Sequence, residues 1–416
     1  MVNERSAPEI RFDGFANEWV QKTINDYGYF YYGKSAPKWS VKPDAPTPCV
    51  RYGELYTKFD GLVDTVYSYT NIAREKLKFR TGHEVLVPRV GEEPLDFARC
   101  SWLSLPNIAI GEMISVYNTE QNPLFIALYF SAMMRNAFAD KVEGGNVSNL
   151  YFNRLLDLEV SFPSIPEQEH IAVFFRFLND TIALKKQQYE QTVNIKKAML
   201  EKMFPQKGAD VPEIRFDGFN GAWEECDLGY ISNVSTGPFG STLHAKDYVS
   251  DGTPIITTEH FKTGSLLERK NGIPQVSDED LKRLRSYVLR EGDVVFSRVG
   301  SVDISALVTN IQVGWLFSGR VLRVRTNESI NSQYLNYELS TERVKKDVIM
   351  RAVGQTMPSI NTEILQKTKV FLPCDLDEQN AIGCFLHNLD LSIKSQSDEI
   401  TIMQNIKKAC LSKMFV

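Results

Sequence analysis

PEIRFDGF at residues 8–15 recurs letter for letter at residues 212–219, 204 positions downstream, and each copy is followed four residues later by a tryptophan, Trp19 and Trp223. Eight consecutive identities mark an internal duplication, which sets the architecture before any single element is assigned.

The other end of each half repeats as well. EQEHIAVFFRFLND at 167–180 aligns with EQNAIGCFLHNLDL at 378–391, an offset of 211; the same offset carries NIKKA at 194–198 onto 405–409 and KMF at 202–204 onto 413–415. Between these ends similarity is patchy, with GHEVLVPRVG at 82–91 set against GDVVFSRVG at 292–300. A constant frame around unlike interiors implies two modules that share a scaffold and contact different targets.

Each repeated C-terminal segment opens on a helix-start signature, Ser164-Ile165-Pro166-Glu167 and Asp375-Leu376-Asp377-Glu378, which resembles a capping box. From there Ile171, Phe174, Leu178, Ile182, Tyr189, Val193, Leu200 and Met203 recur mostly at steps of three, four or seven. Ile382, Phe385, Leu389, Ile393, Ile400, Met403, Leu411 and Met414 do the same in the second half. That period predicts one long amphipathic helix per half. No Gly or Pro interrupts 167–203, so the first helix would span about 55 Å at ~1.5 Å per residue. The simplest partner for its apolar stripe is its twin, set antiparallel as a coiled coil. Lys185, Gln396, Lys196 and Lys407 fall at expected seam positions, where they either fix register or lie on a solvated face. The expected division is 1–161 for the first module, 162–207 for its helix, 208–371 for the second module and 372–416 for the second helix.

The interiors are rich in short β-branched and aromatic runs bounded by Gly, Pro and Asn, such as TPIITTEH at 253–260 and RVLRVR at 320–325. The fold class is therefore α+β, two mixed α/β modules of strong β character, with short helices expected over 122–136 and 331–346. If 74–80 forms a strand, Arg74, Lys76, Lys78 and Arg80 share one face, which reads either as a phosphate track or as a solvated edge. Arg323 and Arg325 share a face of RVLRVR in the same way.

Gly-containing loops let a backbone approach base edges, and Arg, Gln or Asn read them. Gly237-Pro238-Phe239-Gly240-Ser241, Ser297-Arg298-Val299-Gly300-Ser301 and Gly354-Gln355-Thr356 are such loops. They correspond loosely to Pro88-Arg89-Val90-Gly91 and Gly144-Gly145-Asn146, although each also reads as a plain turn. The candidate DNA contacts are thus Lys76, Lys78, Arg80, Arg89 and Asn146 in the first module. In the second they are Phe239, Ser241, His260, Arg298, Ser301, Arg320, Arg323, Gln355 and Thr356.

Composition sets the outer bounds. Over 416 residues, 43% hydrophobic and 24% charged content matches globular protein, and no run of eighteen apolar residues offers a membrane span. MVNERSAPEI carries no apolar stretch, so a secretory signal is not expected and a cytoplasmic location is. A net charge of −5 means that any DNA surface is local. Six dispersed cysteines without C-x-x-C pairing and five dispersed histidines suggest neither a disulfide framework nor a metal site. No phosphate-binding loop or strand-bound G-x-G-x-x-G is present. Asn122-Pro123-Leu124-Phe125 lacks the second proline of an adenine-methyltransferase motif. No active site is expected.

Two variable modules alternating with two repeated helices, each module opening on Arg-Phe-Asp-Gly-Phe plus Trp and each helix on Glu167-Gln168 or Glu378-Gln379, resemble the specificity subunit of type I restriction-modification systems. The resemblance spans nearly the whole chain; the first module departs from it by lacking a GPFGS-type loop. It implies two target-recognition domains, each reading half of an interrupted, asymmetric site in double-stranded DNA, with the helical pair setting the unread spacer. It also implies two methyltransferase subunits and restriction subunits as partners, which carry S-adenosylmethionine, ATP and Mg, leaving this chain without a cofactor and without catalysis. Gln168, Phe174, Leu178, Gln379, Phe385 and Leu389 are the candidate partner-binding positions on the helices. A self-contained DNA methyltransferase, marked by S-adenosylmethionine binding to the chain alone, and a coiled-coil scaffold without sequence preference are the alternatives.

Overall fold

The computed structural model describes residues 7–34, 36–145, 147–238, 243–244 and 247–416. Two compact units emerge, Met1–Lys186 with Asp398–Val416, and Gln187–Ser397. The division runs through both long helices, α1 (Ile165–Lys202) and α2 (Leu376–Lys413), each of 38 residues. None of the described helices is long and apolar enough to cross a membrane.

In the first unit, strands β1 (Gly28–Tyr32), β2 (Glu84–Pro88) and β3 (Ile114–Thr119) form one side of a five-stranded sheet in the order β1-β3-β2, then Ser101–Leu103 and Leu62–Val63. The pairing of β3 with both neighbours is antiparallel. The helix Pro123–Met133 follows β3, with Asn122 capping it through a 3.0 Å bond from Phe125 N–H. Its residues from Pro123 to Phe130 are all buried, as expected of a helix apolar all round.

The second unit repeats this plan with β4 (Ser232–Thr236), β5 (Val294–Ser297) and β6 (Val321–Thr326), in the order β4-β6-β5 and then Ser305–Leu307. Asn331 caps the following helix, Ser332–Leu339, through Tyr334 N–H at 2.7 Å. The expected short helices are thus present, the second broken near Thr341, which caps a further helix at Glu342–Arg351.

The repeated motifs have one structural job each. Arg11 Nε and Nη2 donate to Glu167 at 2.7 and 2.8 Å, and Nη2 also donates to Asn17 O at 2.6 Å. Arg215 makes the same fork to Glu378 at 2.7 and 2.8 Å and closes on the carbonyls of Asn220 and Gly221. The turn between needs a positive φ, supplied by Gly14 at 92° and Gly218 at 94°. Here the structure corrects the capping-box expectation: both glutamates serve arginines 156 and 163 residues away instead of their own helix starts. Contact with Glu167 or Glu378 holds each arginine's pKa above its ordinary value.

Each KMF packs into the unit whose sheet comes from the other half of the sequence. In the first unit Phe415 lies against Phe125, Phe175 and Trp19, with ring centroids 5.6, 5.9 and 6.5 Å away. In the second, Phe204 meets Tyr334 at 5.5 Å and Trp223 at 6.2 Å. Both pairs of helix segments run antiparallel. Lys185 meets Glu399 at 2.8 Å in the first unit; Thr192 bonds Gln396 at 3.2 Å and Lys196 bonds Asp390 at 2.5 Å in the second. Lys407 pairs with Asp60. All four polar seam residues are therefore partnered.

Candidate nucleic-acid interface

The sheet ends that follow β2 and β5 carry equivalent loops. Arg89 N–H donates to Met113 O and its own carbonyl accepts from Leu150; Arg298 N–H donates to Arg320 O and its carbonyl accepts from Ile360. The side chains diverge from this common backbone. Arg89 lies over the rings of Tyr32 and Tyr151 at 4.5 and 5.4 Å, with its buried Nε lacking an acceptor among the described residues. Arg298 spans three segments, donating to Gly319 O at 2.8 Å, Ile360 O at 3.2 Å and Thr236 Oγ1 at 3.4 Å.

Beside each arginine stands a hairpin. In the first unit Glu143–Gly144 pairs with Ser148–Asn149, which pairs with Val90–Gly91. In the second, Val353 bridges Ser359, which bridges Val299. Gly144 and Gly354 hold φ of 119° and 103°, and a Cβ on either would sit 2.8 Å from the carbonyl of Val147 or Met357. Their tips present unlike residues, Gly145 and Val147 against Gln355, Thr356 and Met357, all exposed.

The remaining candidates divide by accessibility. Ser301 and Arg320 are exposed. His260 caps its turn, Nδ1 accepting from Thr257 N–H at 3.0 Å. An accepting Nδ1 leaves the ring proton on Nε2, and burial lowers the imidazole pKa. Arg323 is only 7% exposed, reaching Asn233 Oδ1 and Ser286 O at 3.4 and 3.5 Å, and its pKa falls through burial. Its neighbour Arg325 is bound bidentately to Asp293 at 2.6 Å. These two arginines lie on the inner strand β6 and are held by acceptors within the unit, as a buried or half-buried cation must be. Asn146, Phe239 and Ser241 lie outside the described residues.

The 74–80 strand is not formed as expected. Residues Arg74–Lys76 make a 3-10 turn, and only Phe79 bridges to Ala109. Leu77 and Phe79 still point inward, into a small core with Cys49 and Ala109. Lys76 and Lys78 remain exposed, whereas Arg80 is held by Glu84, Gly82 O and Ser104 O.

A family model described as the type I restriction modification DNA specificity domain matches residues 109–194 and 220–402. The chain belongs to the type I restriction-modification DNA specificity family. Among relatives, the MjaVIII specificity subunit of Methanocaldococcus jannaschii is 22% identical over 300 residues, covering 68% of each chain. A putative MjaX specificity subunit of the same organism is 30% identical over 173 residues, 39% of each. The fold is similar to that of the type I S subunit from M. genitalium, with TM-score 0.64, 16% identity and 99% of each chain covered.

Within this specificity-family chain the repeated Gln residues of the helix starts prove structural. Gln168 is fully buried, accepting from Asn122 N–H at 3.0 Å and donating to Gln121 and Pro163 O. Gln379 repeats this with Asn331 N–H at 2.9 Å and Pro373 O. Each thereby ties a long helix to the capped helix of its own unit. Gly383 permits that approach, since a Cβ there would lie 3.1 Å from Tyr334 N. Phe174 and Phe385 pack on Phe12 and Phe216 at 5.9 and 5.8 Å. Leu178 and Leu389 are half-buried. Apolar helix residues that face water include Val173, Phe177 and Leu184. A periodicity reading that seeks the seam passes over such outward positions.

Proposed function

We propose that this chain is the non-catalytic specificity subunit of a type I restriction-modification complex, reading a bipartite, asymmetric DNA site. Blocks 1–161 and 208–371 act as its target-recognition domains, and the helices of 162–207 and 372–416 as its spacer and dock. The observation that carries the reading is the pair of equivalent arginine loops and hairpins, one backbone frame bearing unlike side chains. Phosphate contacts hold register while a few side chains specify bases. Arg89, Arg298, Arg320, Gln355, Thr356, Ser301, His260, Lys76 and Lys78 are the accessible or partly accessible candidates; Arg80 and Arg323 are held within the fold, by Glu84 and Ser104 O and by Asn233 and Ser286 O. S-adenosylmethionine, ATP and Mg act in the methyltransferase and restriction subunits.

Mapping methylated adenines across a genome, with and without this chain and its cognate methyltransferase subunits, tests the reading. A two-part motif that appears only with the chain is expected. Seven residues inserted into both helices should leave each half-site and lengthen the gap between them. Methylation without the chain, or half-sites that change on insertion, would refute it.

The exposed stripe Val173, Phe177 and Leu184, with Phe177 71% accessible, is the proposed contact for a methyltransferase subunit. Phe177→Asp is expected to keep the fold but reduce co-purification with that subunit at least tenfold, since burying an unpaired carboxylate opposes docking. Unchanged co-purification would move the dock elsewhere.

A further inference from the structure

The face built by Lys34 and residues 36–42 and 69–80 of the first unit opposes the charge of the chain. The two stretches contain seven basic residues and one acidic residue, Glu75, in a chain of net charge −5. Lys34, Lys38, Lys42, Arg74, Lys76 and Lys78 are all exposed, and none of the six forms an ion pair among the described residues. The stretches are joined edge to edge: Lys42 N–H donates to Tyr69 O at 3.0 Å, Asn71 N–H to Ser40 O at 3.1 Å, and the buried Ser40 and Thr70 hydroxyls meet at 2.9 Å.

Trp39 stands on this face, 72% exposed, whereas Trp19 and Trp223 are buried. Its exposure is imposed by a pinned backbone. Ser40 on one side is fully buried and bonds Pro37 O at 2.8 Å; Ala36 on the other is buried and held at a φ of 113°. An indole fixed in water amid cations without a carboxylate partner matches a ligand with negative charge outside and flat apolar faces inside. Duplex DNA has that chemistry.

The face also adjoins the arginine loop. Tyr32, under Arg89, precedes Lys34 by two residues, and Gly33 N–H donates to Ile114 O just as Gly237 N–H donates to Val321 O. Gly33 therefore leaves its strand where Gly237 does in the second unit.

Resting on the DNA-recognition reading above, we infer that these cations seat the phosphates of duplex DNA beside the first unit, and that the Trp39 indole inserts between base pairs as a stacking wedge. Apolar wedges of this kind unstack a step and bend the duplex, and aromatic stacking tolerates any base.

The test uses the full chain and a 40-base-pair mixed-sequence duplex, with affinity measured across salt concentrations and tryptophan emission recorded. Trp39→Ala is expected to weaken binding about 5- to 100-fold at fixed salt, to leave the salt slope unchanged and to abolish the DNA-dependent quenching. Trp39→Phe should restore most of the affinity, which a folding defect would not. Replacing Lys34, Lys38 and Lys42 together with alanine should lower the slope by about 0.9 for each phosphate that is no longer neutralised. Unchanged affinity in Trp39→Ala, or an unchanged slope in the triple variant, overturns the inference while the wild-type chain still binds. A wild-type chain that binds no DNA overturns both this inference and the reading beneath it.

Discussion

Replacing Phe415 with alanine is expected to destabilise the first unit strongly and leave the second intact, although Phe415 belongs to the second copy of the repeat. Its ring fills the space between Trp19, Phe125, Tyr129 and Phe175, and the residue is nearly fully buried. Truncating a buried Phe removes its transfer energy and leaves a cavity, a cost of about 3–5 kcal/mol. Set against a domain stability of roughly 5–15 kcal/mol, that is a large fraction. Phe204→Ala should do the same to the second unit, because its ring lies between Trp223 and Tyr334. Hydrogen exchange followed peptide by peptide separates the two outcomes. Protection should fall over 114–119 in the first variant and over 321–326 in the second. Loss in the unit whose sequence supplies the phenylalanine would show that the exchanged KMF segment is not what holds each unit's core.

That exchange is invisible in the sequence for a definite reason. A repeat makes the two KMF segments equivalent, so either could fill either core, and nothing in the pattern says which does. Periodicity by contrast is enough for the helices, since Ile171, Phe175 and Ile182 in one and Ile382 and Leu386 in the other are buried. Phe175 and Leu386 sit one step from the expected seam residues Phe174 and Phe385, because positions three and four beyond Ile171 and Ile382 lie on the same helix face. Local pattern fails where a residue's partner is distant. Glu167 reads as a cap because a Glu three residues past Ser164 fits one, yet Arg11 supplies a bidentate charge partner that a cap cannot match. Residues 74–80 alternate as a strand should, but with little beyond Phe79 bridging to a neighbour the segment closes into a 3-10 turn. In the loops, the glycines carry the reading. Gly144 and Gly354 match because only glycine tolerates their φ and their close carbonyl, whereas Trp39 has no repeated counterpart to draw attention to it.

Removing one member of either Arg–Glu clamp is expected to cost far more than removing both. Glu378 is almost wholly buried and Arg215 mostly so, at 1% and 15% side-chain exposure, with Glu167 and Arg11 nearly identical at 2% and 15%. Arg215→Ala strands a desolvated carboxylate under the Arg-Phe-Asp-Gly-Phe turn, and removing one partner of a buried pair costs about 3–5 kcal/mol. Replacing Arg215 and Glu378 together by apolar residues of similar volume removes the stranded charge, so the double variant should be the more stable. Arg215→Lys should recover little, because a single ammonium cannot span both carboxylate oxygens and the carbonyls of Asn220 and Gly221. Urea unfolding of the wild-type chain, both single variants and the double variant gives the coupling energy directly. A single substitution that costs under about 1 kcal/mol would mean that the clamp behaves as a solvent-screened surface pair. The repeated motif would then owe its identity to something other than holding each recognition module onto its helix.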